Sequence, residues 1–197
     1  MNIDKLLINV DKKIKEVDSI AKKKNEEDKL RAELDLLHEA KKEVESQFES
    51  LVSDLYMRKN ESLKCKLREI CDQKGIEYNQ KDNGILSLSY RDYLTFTVNL
   101  SSNTRYISRS EGRNKVLGFR VEYSLDYEDF SFEHTTENLP AALKLNELIE
   151  SKREEITYYR NLVLRVNNLA LSTKITLDDG EVHHVESEED IIEKMFG

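Results

Sequence analysis

Residues 3–74 read IDKLLINVDKKIKEVDSIAKKKNEEDKLRAELDLLHEAKKEVESQFESLVSDLYMRKNESLKCKLREICDQK, a stretch without a single Gly or Pro. The first glycine of the chain is Gly75 and its one proline is Pro140. Gly and Pro are the residues that helix interiors tolerate least, so their absence over this length predicts long helix. The apolar spacing agrees. Ile3, Leu7, Val10, Ile14, Val17 and Ala21 step by 4, 3, 4, 3 and 4, the a/d seam of a coiled coil over about two and a half heptads. Continuing that register would put Lys24, Asp28 and Arg31 into core seats. The seam restarts one residue out of phase as Leu30, Leu34, Leu37, Val44, Phe48, Leu51 and Leu55, with Lys41 in the one missing seat. Either the helix turns back near residues 22–27 or it runs through a skip in the repeat. A turn removes three charges from buried seats, so a helical hairpin is the expected form of residues 1–74. After Leu55 the stripe slips again to Tyr56, Leu63, Leu67 and Ile70, as for a helix that leaves a coiled-coil seam to pack on a globular body. Lys74 in the last turn and Gly75 just beyond it form a helix stop.

Beyond Gly75 the period changes to 2. Leu86, Leu88 and Tyr90 alternate with serines. Leu94, Phe96, Val98 and Leu100 alternate with Thr95, Thr97 and Asn99. Leu117, Phe119, Val121, Tyr123, Leu125 and Tyr127 form a third run, and Phe130 and Phe132 follow. Four such runs predict a four-stranded antiparallel meander over about residues 84–134 with one buried face. Residues 101–115 read as a polar loop between runs. Asn138 and Pro140 then open a helix expected over about 139–172, carrying Ala142, Leu145, Ile149, Ile156, Tyr159, Val163, Val166 and Ala170 in one register. Asp179-Gly180 between Ile175–Leu177 and Val182–Val185 marks a small hairpin. Ser187 three residues before Asp190 resembles a capping box opening a short last helix. The expected class is therefore α+β, with a helical hairpin or coiled coil at 1–74 and an α+β domain at 75–197. The element order long helix, antiparallel meander, helix, over about residues 26–172, resembles the coiled-coil-plus-RWD arrangement of kinetochore linker proteins. The resemblance is one of order alone and carries no site residue across.

Bulk composition narrows the function. Among 197 residues, 38% are apolar and 36% charged, the balance of long solvated helices, and nine Tyr with six Phe argue against disorder. Net charge is −8; residues 1–74 are balanced and the acidity lies in the rest. An acidic excess disfavours bulk duplex binding and anionic membrane surfaces. No run is long enough to cross a bilayer, and the opening residues lack a signal-peptide core. Cys65 and Cys71 lie six apart on one helix, which suits free thiols in a reducing cytoplasm.

Catalytic patterns are absent: there is no phosphate-cradling glycine loop, no H-E-x-x-H and no G-x-S-x-G. His183 and His184 are adjacent on a strand and point to opposite faces, so they do not share an ion. His134 and His38 lack a second nitrogen ligand at suitable spacing. No metal and no cofactor is expected. The densest chemistry is a basic group in an acidic chain: Arg105, Tyr106, Arg109, Arg113 and Lys115, with Arg120 on the next strand. Arg forks and a Tyr ring suit an acidic protein surface, or single-stranded nucleic acid. The function expected is a non-enzymatic interaction protein: an adaptor, scaffold or small inhibitor that binds another protein. A homodimer through Leu30, Leu34, Leu37, Val44, Phe48, Leu51 and Leu55 is expected beside it. A nucleic-acid-binding accessory protein using loop 101–115 is the alternative, and an enzyme with a site near His134 or His183 is a lesser one.

Overall fold

The computed structural model describes the backbone from residue 3 and side chains from residue 7, except residues 82–83, 101–104, 129 and 132–140. Phe132, His134, Asn138 and Pro140 therefore lie outside the described residues. The protein mixes helix and sheet. One helix, α1, runs from Ile3 to Lys74. Strands follow as β1 (Glu77–Gln80), β2 (Ile85–Tyr90), β3 (Leu94–Leu100), β4 (Arg105–Glu111) and β5 (Asn114–Leu125). Helix α2 (Ala141–Arg165) leads through a 3-10 turn at Val166–Asn168 into β6 (Leu171–Leu177), β7 (Val182–Val185) and helix α3 (Glu188–Phe196).

The helical hairpin expected in residues 1–74 is not formed. Residues 22–27 continue α1, and the charges that suggested a turn cost little because residues 21–26 are exposed. Lys22, Lys23 and Lys24 each precede an acidic residue four positions on, which supports a solvated helix locally. Gly75, at φ +64°, stops the helix, and the Ile76 N–H donates to Cys71 O at 2.9 Å. That is the six-to-one bond of a Schellman stop, with Ile76 packed against the core cluster that includes Cys71.

The four-stranded meander is likewise corrected: among the described residues seven antiparallel strands pair in sequence order, β1 to β7. Two were not anticipated. β1 is a polar edge strand with only Tyr78 as an inward anchor. β4 replaces most of the expected loop 101–115. The terminal hairpin exists, its Asp179-Gly180 turn closed by Gly180 N–H donating to Leu177 O at 2.9 Å, but β6 pairs with β5 and so extends the same sheet. The helix expected to reach residue 172 ends sooner, because Leu169 is extended (φ −70°, ψ 142°) and its neighbours enter β6.

Two compact units divide the chain. Residues 1–48 and 129–164 form one, residues 49–128 and 165–197 the other. In the first, α1 and α2 run in the same direction: Glu33 meets Arg153 at 2.5 Å, Lys41 meets Glu155 at 3.0 Å, and the Phe48 ring lies 6.1 Å from that of Tyr159. In the second, one sheet face presents Leu86, Leu88, Phe96, Val98, Ile107, Phe119, Val121 and Ile175, all buried with Leu63, Leu67 and Cys71 of α1 and Ile191 and Met195 of α3 in one core. Ser187 caps α3 as anticipated, accepting from Asp190 N–H at 3.3 Å while Asp190 accepts from Ser187 N–H at 2.9 Å.

Candidate interaction surfaces

Strand register decides the fate of the basic group. Arg105 pairs opposite Leu100, Ile107 opposite Val98, and Arg109 opposite Phe96, so Arg105 and Arg109 share the face that carries the core. Tyr106 pairs opposite Arg120 on the other face. Residues that a loop could have gathered are thus split by the alternation of a strand.

Arg105 is held inside the second unit. Its guanidinium lies 4.7 Å from the centroid of the Tyr123 ring and 5.3 Å from that of Tyr56. Its Nε donates to Asn60 Oδ1 at 3.1 Å, and Asn60 Nδ2 donates to the Leu100 carbonyl at 3.1 Å. Asn60 is buried. It fills the seat between Tyr56 and Leu63 in the helix stripe, which is how a polar residue comes to join β3 and β4 to α1. Burial pushes the Tyr123 phenol up to about 12, against the opposing pull of Arg105. Its hydroxyl has no hydrogen-bond partner among the described residues. Cation–π stacking and a charged hydrogen bond therefore commit Arg105 to packing.

Arg109 is committed in a similar way. Its Nη1 donates to the Met195 carbonyl at 3.3 Å, near the C-terminal end of α3, where a cation suits the helix dipole. Glu111 Oε1 lies 3.7 Å away. An open groove of about 470 Å³ adjoins it, lined also by Val116, Leu117, Asp190, Glu193, Lys194 and Gly197. One Asp190 oxygen there accepts from the Glu186 and Ser187 backbone N–H groups.

The opposite face holds the rest. Lys115 pairs with Asp178 and touches the Tyr106 hydroxyl, and Tyr106 O–H donates to Asp178 at 2.9 Å. Hydrogen bonds to Lys115 and Tyr106 hold the Asp178 carboxyl below its usual range. The trio sits over Gly118, where any Cβ would collide with the Tyr106 hydroxyl and the Asp178 carboxylate. Arg120 is exposed and approaches Glu122 at 4.0 Å, and Arg113 is exposed in the β4–β5 turn. Asp178 was not singled out in the sequence, since β6 brings it to Lys115 across an intervening helix. The surrounding face is a Ser/Thr carpet: Ser87, Thr95, Thr97, Ser108, Ser110 and Thr176.

The apolar seats of α1 divide as well. Val44 and Phe48 are buried within the single chain, and Leu30, Leu34, Leu37, Leu51 and Leu55 are half-buried. Ahead of Glu27 no described residue of α1 is covered: Leu7 is 58% exposed, Ile14 53% and Ile20 67%.

His183 lies 3.2 Å from Glu181, and its neighbour His184 takes the other face of β7. Among the described residues no three His, Cys, Asp or Glu side chains gather where a metal ion could sit. Burial, with Asp72 beside it, pushes the Cys71 thiol up to about 11, so that sulfur is a core group rather than a nucleophile. Among the described residues no helix is long and apolar enough to cross a membrane. No family model, no curated protein and no solved structure matches this chain.

Proposed function

We propose that the protein is a non-enzymatic interaction protein, an adaptor or scaffold, that works by docking the N-terminal arm of α1 against a partner helix. One observation carries the reading. Leu7, Val10, Ile14 and Val17 keep coiled-coil spacing along a continuous helix, yet each is half or more exposed. Side chains repeated at that spacing gain free energy only when a second surface covers them. The basic group gives no comparable support to a nucleic-acid reading, because Arg105 and Arg109 are occupied by Asn60, two Tyr rings and the end of α3. Free thiols at Cys65 and Cys71 fit a reducing cytoplasm.

The test is capture from a native lysate by the full chain beside its Leu7→Asp/Ile14→Asp variant. The intact arm is expected to retain proteins that the variant loses. An intact chain that retains none, or a variant that retains the same set, rejects the reading.

A further inference from the structure

Resting on that docking role, we propose that what covers the arm is further copies of this same chain, aligned parallel and in register over residues 3–21 as a coiled coil of more than two strands. The seats fix the argument. With Leu7, Ile14 and Ala21 at a and Ile3, Val10 and Val17 at d, the e seats are Asp4, Asp11 and Asp18 and the g seats are Leu6, Lys13 and Ile20. Parallel strands place each g seat beside the e seat of the next heptad on the neighbouring strand, so Lys13 meets Asp18 of another copy. Antiparallel strands set e against e, which here opposes Asp to Asp throughout. The pattern thus answers itself in one orientation and repels itself in the other.

Strand number follows from side-chain shape. All three d seats are β-branched, whereas two-stranded parallel coils prefer Leu at d; branched residues at d favour three or four strands. Ile20 at g, 67% exposed, widens the apolar face, as a strand with two neighbours requires. The next seats, Lys24 and Asp28, end the seam. A contact this short is sustained because α1 is already helical there, so association does not have to order the segment.

The experiment is the mass of the full chain in solution by sedimentation equilibrium, over about a hundredfold range of concentration. The expected species is three or more times the 23.1 kDa chain. Ile14→Asp, at an exposed seat, is expected to give one chain with an unchanged circular dichroism spectrum. Lys13→Glu should weaken assembly about tenfold, and Lys13→Glu/Asp18→Lys should restore it. Val10→Cys in a Cys65→Ser background should cross-link copies on oxidation, since parallel d seats bring like residues together.

A single-chain mass for the intact protein overturns the assembly. If Ile14→Asp or Leu7→Asp/Ile14→Asp still strips proteins from the lysate capture, docking survives and only the choice of occupant fails. A two-chain mass that Ile14→Asp abolishes overturns the strand number. An assembly without charge rescue or Val10→Cys cross-linking overturns the parallel register.

Discussion

Leu63, Leu67 and Cys71 are fully covered, while Leu7, Ile14 and Val17 on the same helix are more than half exposed. The first set steps by 4 and 4, the second, with Val10, by 3, 4 and 3, so each lines one helical face, and both lie among Lys, Glu and Asp. What differs is the neighbouring chain: the sheet and α3 supply an apolar surface for the first set, and the unit that holds the arm supplies none for the second. Helical periodicity thus declares that a face wants cover. It does not say whether the cover is in the same molecule.

The largest expected effect separates the two sets directly. Leu67→Ala empties a fully buried seat facing the sheet core, and loss of about 2–5 kcal/mol is expected from the denaturation midpoint. Ile14→Ala, the same kind of truncation in the arm, should move that midpoint by less than about 0.5 kcal/mol at concentrations too low for association. Equal losses would mean that the arm is covered in the single chain after all.

Arg105 sharpens the contrast among polar residues. Arg105→Ala removes two ring contacts and leaves the buried Asn60 oxygen without its donor, so about 1–3 kcal/mol should be lost. Arg113→Ala, in an exposed turn, should stay within about 0.5 kcal/mol. The two residues looked alike in the sequence. A stability effect at Arg113 as large as that at Arg105 would show that the turn is also part of the packed unit.

These residues show which parts of the molecule were readable beforehand. Gly75 marked the end of α1 because a stop in the left-handed region has a residue preference of its own. Strands β2, β3 and β5 were visible because their inward seats are apolar. β4 was not, because Arg105 and Arg109 occupy two of its inward seats and leave Ile107 as the one aliphatic signal. Once β4 is a strand, the basic group divides between two faces, which no property of the residue types foretold. The Asn60 contact did leave a trace: a polar residue standing in the stripe between Tyr56 and Leu63. Asp178 left none, because its partners Tyr106 and Lys115 come from strands far back in the chain. The exposed arm was legible as a seam, but its lack of cover was not, since the charges at residues 22–27 suggest a turn equally well.

A smaller effect concerns how α3 is tied to α1. Lys59 and Lys66 each reach Glu188 at 3.1 Å, and Lys66 reaches Glu189 at 2.6 Å. Burial pushes the Glu188 carboxyl up, but hydrogen bonds from Lys59 and Lys66 outweigh it and hold the group below its ordinary 4.5. The unfolded chain therefore binds this proton at higher pH than the folded one does. The stabilisation is complete above the ordinary value and is lost as pH falls through the lower, folded value. Thermal midpoints followed downward from about pH 6 should fall less steeply in Glu188→Gln than in the parent. Identical slopes would remove Glu188 from the acid response of the sheet unit.

The smallest effect tests whether exposure alone sets the arm apart. Arg91 and Asp92, in the β2–β3 turn, are exposed like the arm, yet both sit at positive φ, 52° and 54°. Tyr93 N–H donates to Tyr90 O at 3.2 Å, closing a turn whose hand matches the strand twist but whose two central residues are neither Gly nor Asn. The left-handed region costs an ordinary side chain about 1 kcal/mol, and the strands on either side hold the residues there. Asp92→Gly should relieve that strain and stabilise the sheet unit by about 0.5–1 kcal/mol without adding a contact. Gly for Asn25 in the arm should do the reverse, loosening a helix locally with no change in the sheet unit's midpoint, because nothing there dictates its conformation except the helix itself. A gain at Asp92 beside silence at Asn25 would show that what distinguishes the arm is freedom from its own fold, the condition under which its apolar edge is available to another chain.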